Sequence, residues 1–144
     1  MLAGRPMSGY RAGLNRIAPA LGALALLSGC IVYKNAPIAD NGPPAVQGSA
    51  VALGQPVQVG PVVATPRTVI EDSRCPENVR CVWAGRLVVA TRIDGAGWRE
   101  TVDLTLGEPA RVRDVTLALV SGLPEKRADR ETVADEYRFV YEAR

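Results

Sequence analysis

The chain has 144 residues, enough for one small domain with extensions, and its apolar share of 47% is ordinary for a globular protein. It contains no His, which removes the commonest general base and metal ligand and, with them, every Ser-His, Cys-His and imidazole–zinc arrangement. The formal charge of +2 comes from Arg5, Arg11 and Arg16 in the first 29 positions, which hold no acid; the remainder is near neutral and gives no electrostatic case for nucleic-acid binding.

A basic stretch from Met1 to Arg16 precedes an eleven-residue apolar run, Ile17 to Leu27, and then small residues. That is the layout of a secretory signal. The run is too short to cross a bilayer, which takes about 20 residues. It ends in Leu27-Ser28-Gly29-Cys30, which resembles the lipobox of bacterial lipoproteins, with Leu three residues before the lipidated Cys. The resemblance implies a diacylglyceryl group on the Cys30 thiol, cleavage between Gly29 and Cys30, and acylation of the new amino terminus. Each acyl chain contributes about 0.8 kcal/mol per buried methylene, and more than one makes anchoring stable. Ile31 stands where inner-membrane retention is associated with Asp, which favours the periplasmic face of the outer membrane in a host with two membranes. Residues 1–29 are thus read as a signal peptide, and 30–49 as the lipidated Cys with a tether. Between Asn35 and Pro44 that tether has three Pro, one Gly and no hydrophobic periodicity.

Residues 50–144 read as a β-rich envelope domain. Val51–Leu53 and Val57–Val59 are brief strand candidates. Val62–Ala64 and Thr68–Ile70 flank Pro66, which fits an edge strand or one that crosses between sheets. Arg86–Ile93 is apolar on both faces near its middle and so central. After a turn at Asp94–Gly97, Trp98–Leu106 alternates, with Val102, Leu104 and Leu106 on one side, completing the best hairpin in the chain. Val115, Leu117 and Leu119 continue with period two, although a short helix over 114–120 also accommodates them. A charged loop, Pro124 to Glu131, leads to a final strand, Tyr137–Tyr141, with three aromatics on one face. An exposed patch from those rings would mark a protein interface. With seven aromatics in all, the core must be filled mainly by Val, Leu and Ala. The expected fold is all-β, a small antiparallel sandwich or open barrel of about seven short strands. The alternative is α+β, with one short helix in 112–120 or 128–136.

The most distinctive stretch is Glu71-Asp-Ser-Arg-Cys-Pro-Glu-Asn-Val-Arg-Cys-Val-Trp-Ala-Gly85. With Cys30 assigned to lipid, Cys75 and Cys81 are left to pair in an oxidising compartment. Closing so short a loop contributes about 2 kcal/mol on a chain-entropy model. A zinc site would lack at least half its ligands without His. Redox catalysis normally has two intervening residues where this loop has five. The spelling Asp-Ser-Arg-Cys-Pro, four residues, Cys, an apolar residue and Trp-Ala-Gly resembles a pattern of small exported bacterial proteins. The resemblance covers about 15 of the 144 residues; it implies export and a β-domain and brings no activity. Trp83 is expected to pack in the core against the bridge. Asp72, Arg74, Glu77, Arg80 and Trp83 form a candidate binding loop, with an Asp72–Arg74 ion pair ordering its entrance. Asp72, Ser73 and Glu77 could offer oxygen to a hard cation, but no recognised loop spacing supports this, and neither a metal nor a cofactor is expected.

Three classes of function are open. The favoured one is a non-catalytic envelope module, held to the membrane by its lipid and meeting a protein or glycan partner. The second is an inhibitor-like binder with Pro76–Arg80 as a pre-organised bait. The third is a glycan-acting enzyme using a carboxylate pair, Glu71 with Glu100 or Asp103.

Overall fold

A computed structural model of the chain describes residues 41–144 and the isolated Gly9. The rest of the signal peptide, the Gly29–Cys30 cleavage point and residues 30–40 of the tether lie outside the described residues. Among the described residues seven strands form two antiparallel sheets with no barrel closure. The first sheet is built in chain order from β1 (Val57–Val59), β2 (Val62–Asp72), β3 (Leu87–Gly95) and β4 (Trp98–Thr105). The second contains β5 (Pro109–Val112), β6 (Val115–Leu123) and β7 (Arg138–Ala143), also in chain order. The all-β expectation is therefore met. Residues 114–120 lie in β6 or its approach, and within 128–136 there is only a 3-10 turn, Ala134–Glu136. Among the described residues no helix is long and apolar enough to cross a membrane.

Strand pairing follows the period-two pattern. Leu87, Val89 and Ile93 of β3 enter the core with Leu104 of β4, and meet Leu117 and Leu119 of β6 from the opposite sheet. The Val62–Ala64 and Thr68–Ile70 candidates are one strand, and it is neither the sheet edge nor a crossing strand that Pro66 suggested, since β2 lies between β1 and β3. Pro66 is accommodated within β2 because β1 pairs only as far as Ala64, leaving no neighbour that needs its missing N–H. Bulges there leave Arg67 and Ile70 without a partner on β3. Val51 contributes a single bridge, exchanging both backbone bonds with Phe139 at 2.9 Å. The last part of the expected tether belongs to this structure. Ala45 bonds Pro56 and Gln58 of the β1 edge, and Asn41 donates its amide to the Gly54 carbonyl at 2.8 Å.

The three aromatics of β7 and its approach are not an exposed patch. Tyr137, Phe139 and Tyr141 are all buried, because their face of the strand is turned to the first sheet. Tyr137 and Phe139 stack with centroids 5.6 Å apart. The hydroxyls of Tyr141 and Thr91 lie 3.0 Å apart and link the sheets through the core.

Candidate functional site

The β2–β3 connection, residues 73–86, is fixed from its base. Asp72 and Arg74 are two residues apart on extended chain, so their side chains share a face. The guanidinium grips both carboxylate oxygens of Asp72, Nε at 2.8 Å and one terminal nitrogen at 2.9 Å, with side chains only 11% and 9% exposed. Its remaining donors reach the second sheet, to the Gly122 carbonyl at 2.6 Å and the Pro124 carbonyl at 3.1 Å. Tyr137 donates its hydroxyl to Asp72 at 2.8 Å, and Lys126 donates to the Asp72 backbone carbonyl. Burial pushes the Asp72 carboxyl up, but the hydrogen bonds from Arg74 and Tyr137 and the charges of Arg74 and Lys126 outweigh it and hold the group below its ordinary value. Tyr137 is pushed up to about 12 by burial and by its bond to the Asp72 anion.

Cys75 and Cys81 form the expected disulfide, with Cα atoms 5.8 Å apart. It divides the loop into two unlike halves. In the first, Pro76 to Val79 is a turn closed at 3.2 Å. The Glu77 amide donates to the Lys126 carbonyl at 2.9 Å, the Ala128 amide donates to the Asn78 side chain at 3.0 Å, and Arg127 pairs with Glu77 at 3.0 Å. In the second half the side chains face outward. Val82 is 89% exposed and Trp83 82%. Trp83 therefore does not pack against the bridge. The bridge lies at the surface, with Cys81 itself exposed, so it offers no buried face for an indole to cover.

The far flank is fixed as firmly. Gly85 lies so close to the Ser73 carbonyl that a Cβ would overlap its oxygen. The Ser73 amide donates to the Arg86 carbonyl at 2.8 Å, and the Arg86 amide donates to the Ser73 hydroxyl at 3.1 Å. Arg86 also pairs with Glu71 at 2.8 Å. The Trp83 segment thus projects between two anchored ends.

Beside the loop base is a polar cleft of about 600 Å³, bounded by Asp72, Pro76, Lys126, Arg127, Arg130 and Tyr137 among others. Most of its charges are engaged within the protein. Arg127 is shared by Glu77 and Asp129, Arg130 pairs with Glu136, and Asp72 is engaged from three sides. Glu71 is not brought together with Glu100 or Asp103. Glu71 pairs across from Val88 at one end of β3, whereas Asp103 and Glu100 sit on β4 opposite Ala90 and Ile93. The oxygens suggested for a hard cation are likewise divided, with Ser73 bonded to Glu71 and Glu77 held by Arg127. Among the described residues no group of three His, Cys, Asp or Glu could hold a metal ion.

Of the candidate loop residues, Asp72, Arg74 and Glu77 are structural ties, while Arg80 and Trp83 are outward-facing. Lys126, Arg127 and Tyr137 were not foreseen as partners, because they lie some fifty or more residues along the chain with no local signal. Val82 was also not foreseen, and its place beside Trp83 is the one local signal it has. Comparison with protein-family models, curated proteins and solved structures finds no match to this chain.

Proposed function

We propose that this chain is a lipid-anchored, non-catalytic binding module of the bacterial cell envelope, held through Cys30, with residues 79–86 as its binding element. The lipobox residues support the anchor, and Ile31 after Cys30 supports the outer membrane where the host has two membranes. The observation that carries the binding element is the exposure of Val82 and Trp83 between two fixed flanks. Single apolar side chains on a surface are ordinary. Two adjacent ones on a segment bolted at both ends are pre-organised for contact, because little conformational freedom is left to lose on binding.

The other readings fit less well. A protease bait needs accessible, extended backbone, whereas Pro76–Val79 is a turn tied to the 126–128 segment. A glycosidase needs two carboxyl groups facing one cleft and free to act. Of the acids at the cleft, Asp72 and Asp129 are held by Arg74 and Arg127, while Glu71 lies strands away from Glu100 and Asp103.

The test is the intact mass of the protein taken from its native membrane fraction, before and after reduction and alkylation. The expected result is a chain beginning at Cys30 with added acyl mass, in which two further thiols become alkylatable only after reduction. A chain without acyl mass would remove the anchor and the envelope address together.

A further inference from the structure

We infer that the exposed tip Val79–Arg86 docks on the phospholipid surface of the membrane that holds the anchor, with Val82 and Trp83 at the headgroup–acyl boundary and Arg80 on lipid phosphate. This rests on the reading of Cys30 as the acyl-bearing residue.

Chemistry is the first argument. An indole has an apolar body and one polar N–H, and such rings settle at the membrane–water boundary. Val82 extends the apolar surface beside it, and Val79 is also exposed. Arg80 and Arg86 flank the pair, and no acid occurs from Asn78 to Ile93. Arg86 is already held by Glu71, while Arg80 makes no ion pair among the described residues. A guanidinium on a long stem can bind phosphate while its neighbours sit deeper.

Size is the second. A Trp side chain offers about 150–250 Å², and two valines add less. A stable protein interface takes about 800 Å² from each partner. This tip is too small to hold a soluble partner unaided. It suffices on a bilayer, because an anchor already supplies the effective concentration.

Reach is the third. Asn41 follows Cys30 by eleven positions, which limits their separation to roughly 40 Å. Asn41 is tied to Gly54, and Gly54 to Pro66 near the middle of β2. From Pro66 to Asp72 the strand covers about 20 Å, so an acylated Cys30 keeps the tip within range of the bilayer.

The experiment uses the processed protein from native membranes, reconstituted in phosphatidylcholine–phosphatidylglycerol vesicles with acyl chains brominated near the headgroup. Trp emission is compared in the wild type, Val82→Asp and Trp83→Phe. Val82→Asp keeps both fluorophores and alters a fully outward position, so its fold is retained. The expected result is strong quenching of the wild type, at least twofold weaker quenching in Val82→Asp, and little quenching of the Trp98 emission left in Trp83→Phe. Acylated protein that floats with the vesicles but is quenched equally in all three overturns the docking and leaves the anchor intact. The same holds if none is quenched, which would direct the tip to a protein or glycan. A protein that carries no acyl mass and does not float overturns both.

Discussion

At the β3–β4 turn Trp98 lies against Gly95, at a point where any Cβ would overlap the indole, and Arg113 covers the ring at 4.9 Å. At the β2–β3 connection Trp83 stands in water with 82% of its surface open. Trp83 belongs to the connection that leads into central strand β3, and Trp98 opens β4 just after the turn that leads out of it. What differs is how each connection is closed. The short turn uses its aromatic as a lid, packed against the core from above. The long one is closed by covalent and polar means: the disulfide, the Arg74 fork and the contact of Gly85 on Ser73. Because those ties fix the backbone, the fold does not need the indole there. With the backbone held in this way, the Trp83 side chain is open to the contact proposed above.

The comparison breaks first at Arg74. Replacing it by Ala leaves a largely buried Asp72 without its main partner and two carbonyls without donors. Removal of one member of a buried pair is strongly destabilising, and at this sheet margin the cost is about 3 kcal/mol. Urea unfolding should show it as a lower midpoint. Arg74→Lys should recover less than half, since one ammonium cannot bridge two carboxylate oxygens and two carbonyls together. A loss below about 1 kcal/mol would mean that the polar ties do not close the loop, and the contrast with Trp98 would lose its cause.

The tryptophans themselves give the next test. Trp98→Ala removes a half-buried ring and its cation–π contact, a loss of about 2 kcal/mol. Trp83→Ala lies away from every packed feature and should fall within about 0.5 kcal/mol of wild type. Denaturation midpoints of the two variants separate them directly. Equal losses would show that Trp83 packs in solution and would remove the case for a presented tip.

Much of this architecture could be read from residue order. Alternation marked β4 and β7, and the two cysteines left after Cys30 marked the bridge. Pro66 suggested an edge or crossing strand, whereas β2 lies between β1 and β3, flanked by β1 only as far as Ala64. Aromatic placement was legible only as a stripe, because period two says that Tyr137, Phe139 and Tyr141 share a face without saying which way it turns. Trp83 was misread for a related reason. A Trp beside a Cys is commonly packed on the disulfide, but whether that disulfide is buried depends on how the loop leaves the sheet. That path is set by Arg74 reaching Gly122 and Pro124, nearly fifty residues away. Contacts of that span leave no periodicity. The same holds for the β6 helix alternative, since Val115, Leu117 and Leu119 suit either state until β5 and β7 supply partners on both sides.

The finest probe of the loop base is alkaline pH. Tyr137 titrates near 10 in an unfolded chain and is pushed up to about 12 here by burial and by the Asp72 anion. A raised value means that the folded state holds the proton more tightly. The resulting stability is fully present below about pH 10 and is lost as pH rises through about 12. Asp72 runs the other way: its lowered value gives stability that is present above the ordinary carboxylate range and lost as pH falls through the folded value. Tyr137→Phe keeps the ring stacked on Phe139 and removes only the hydroxyl. It should cost about 1 kcal/mol at neutral pH and flatten the loss of stability between pH 10 and 12. The loss should not vanish, because burial also raises Tyr141, whose hydroxyl meets Thr91 between the sheets. Unfolding midpoints measured from pH 8 to 12 distinguish the two tyrosines. An unchanged alkaline limb in Tyr137→Phe would place the linkage in the sandwich core, and the Asp72 hub would then hold the loop by geometry alone.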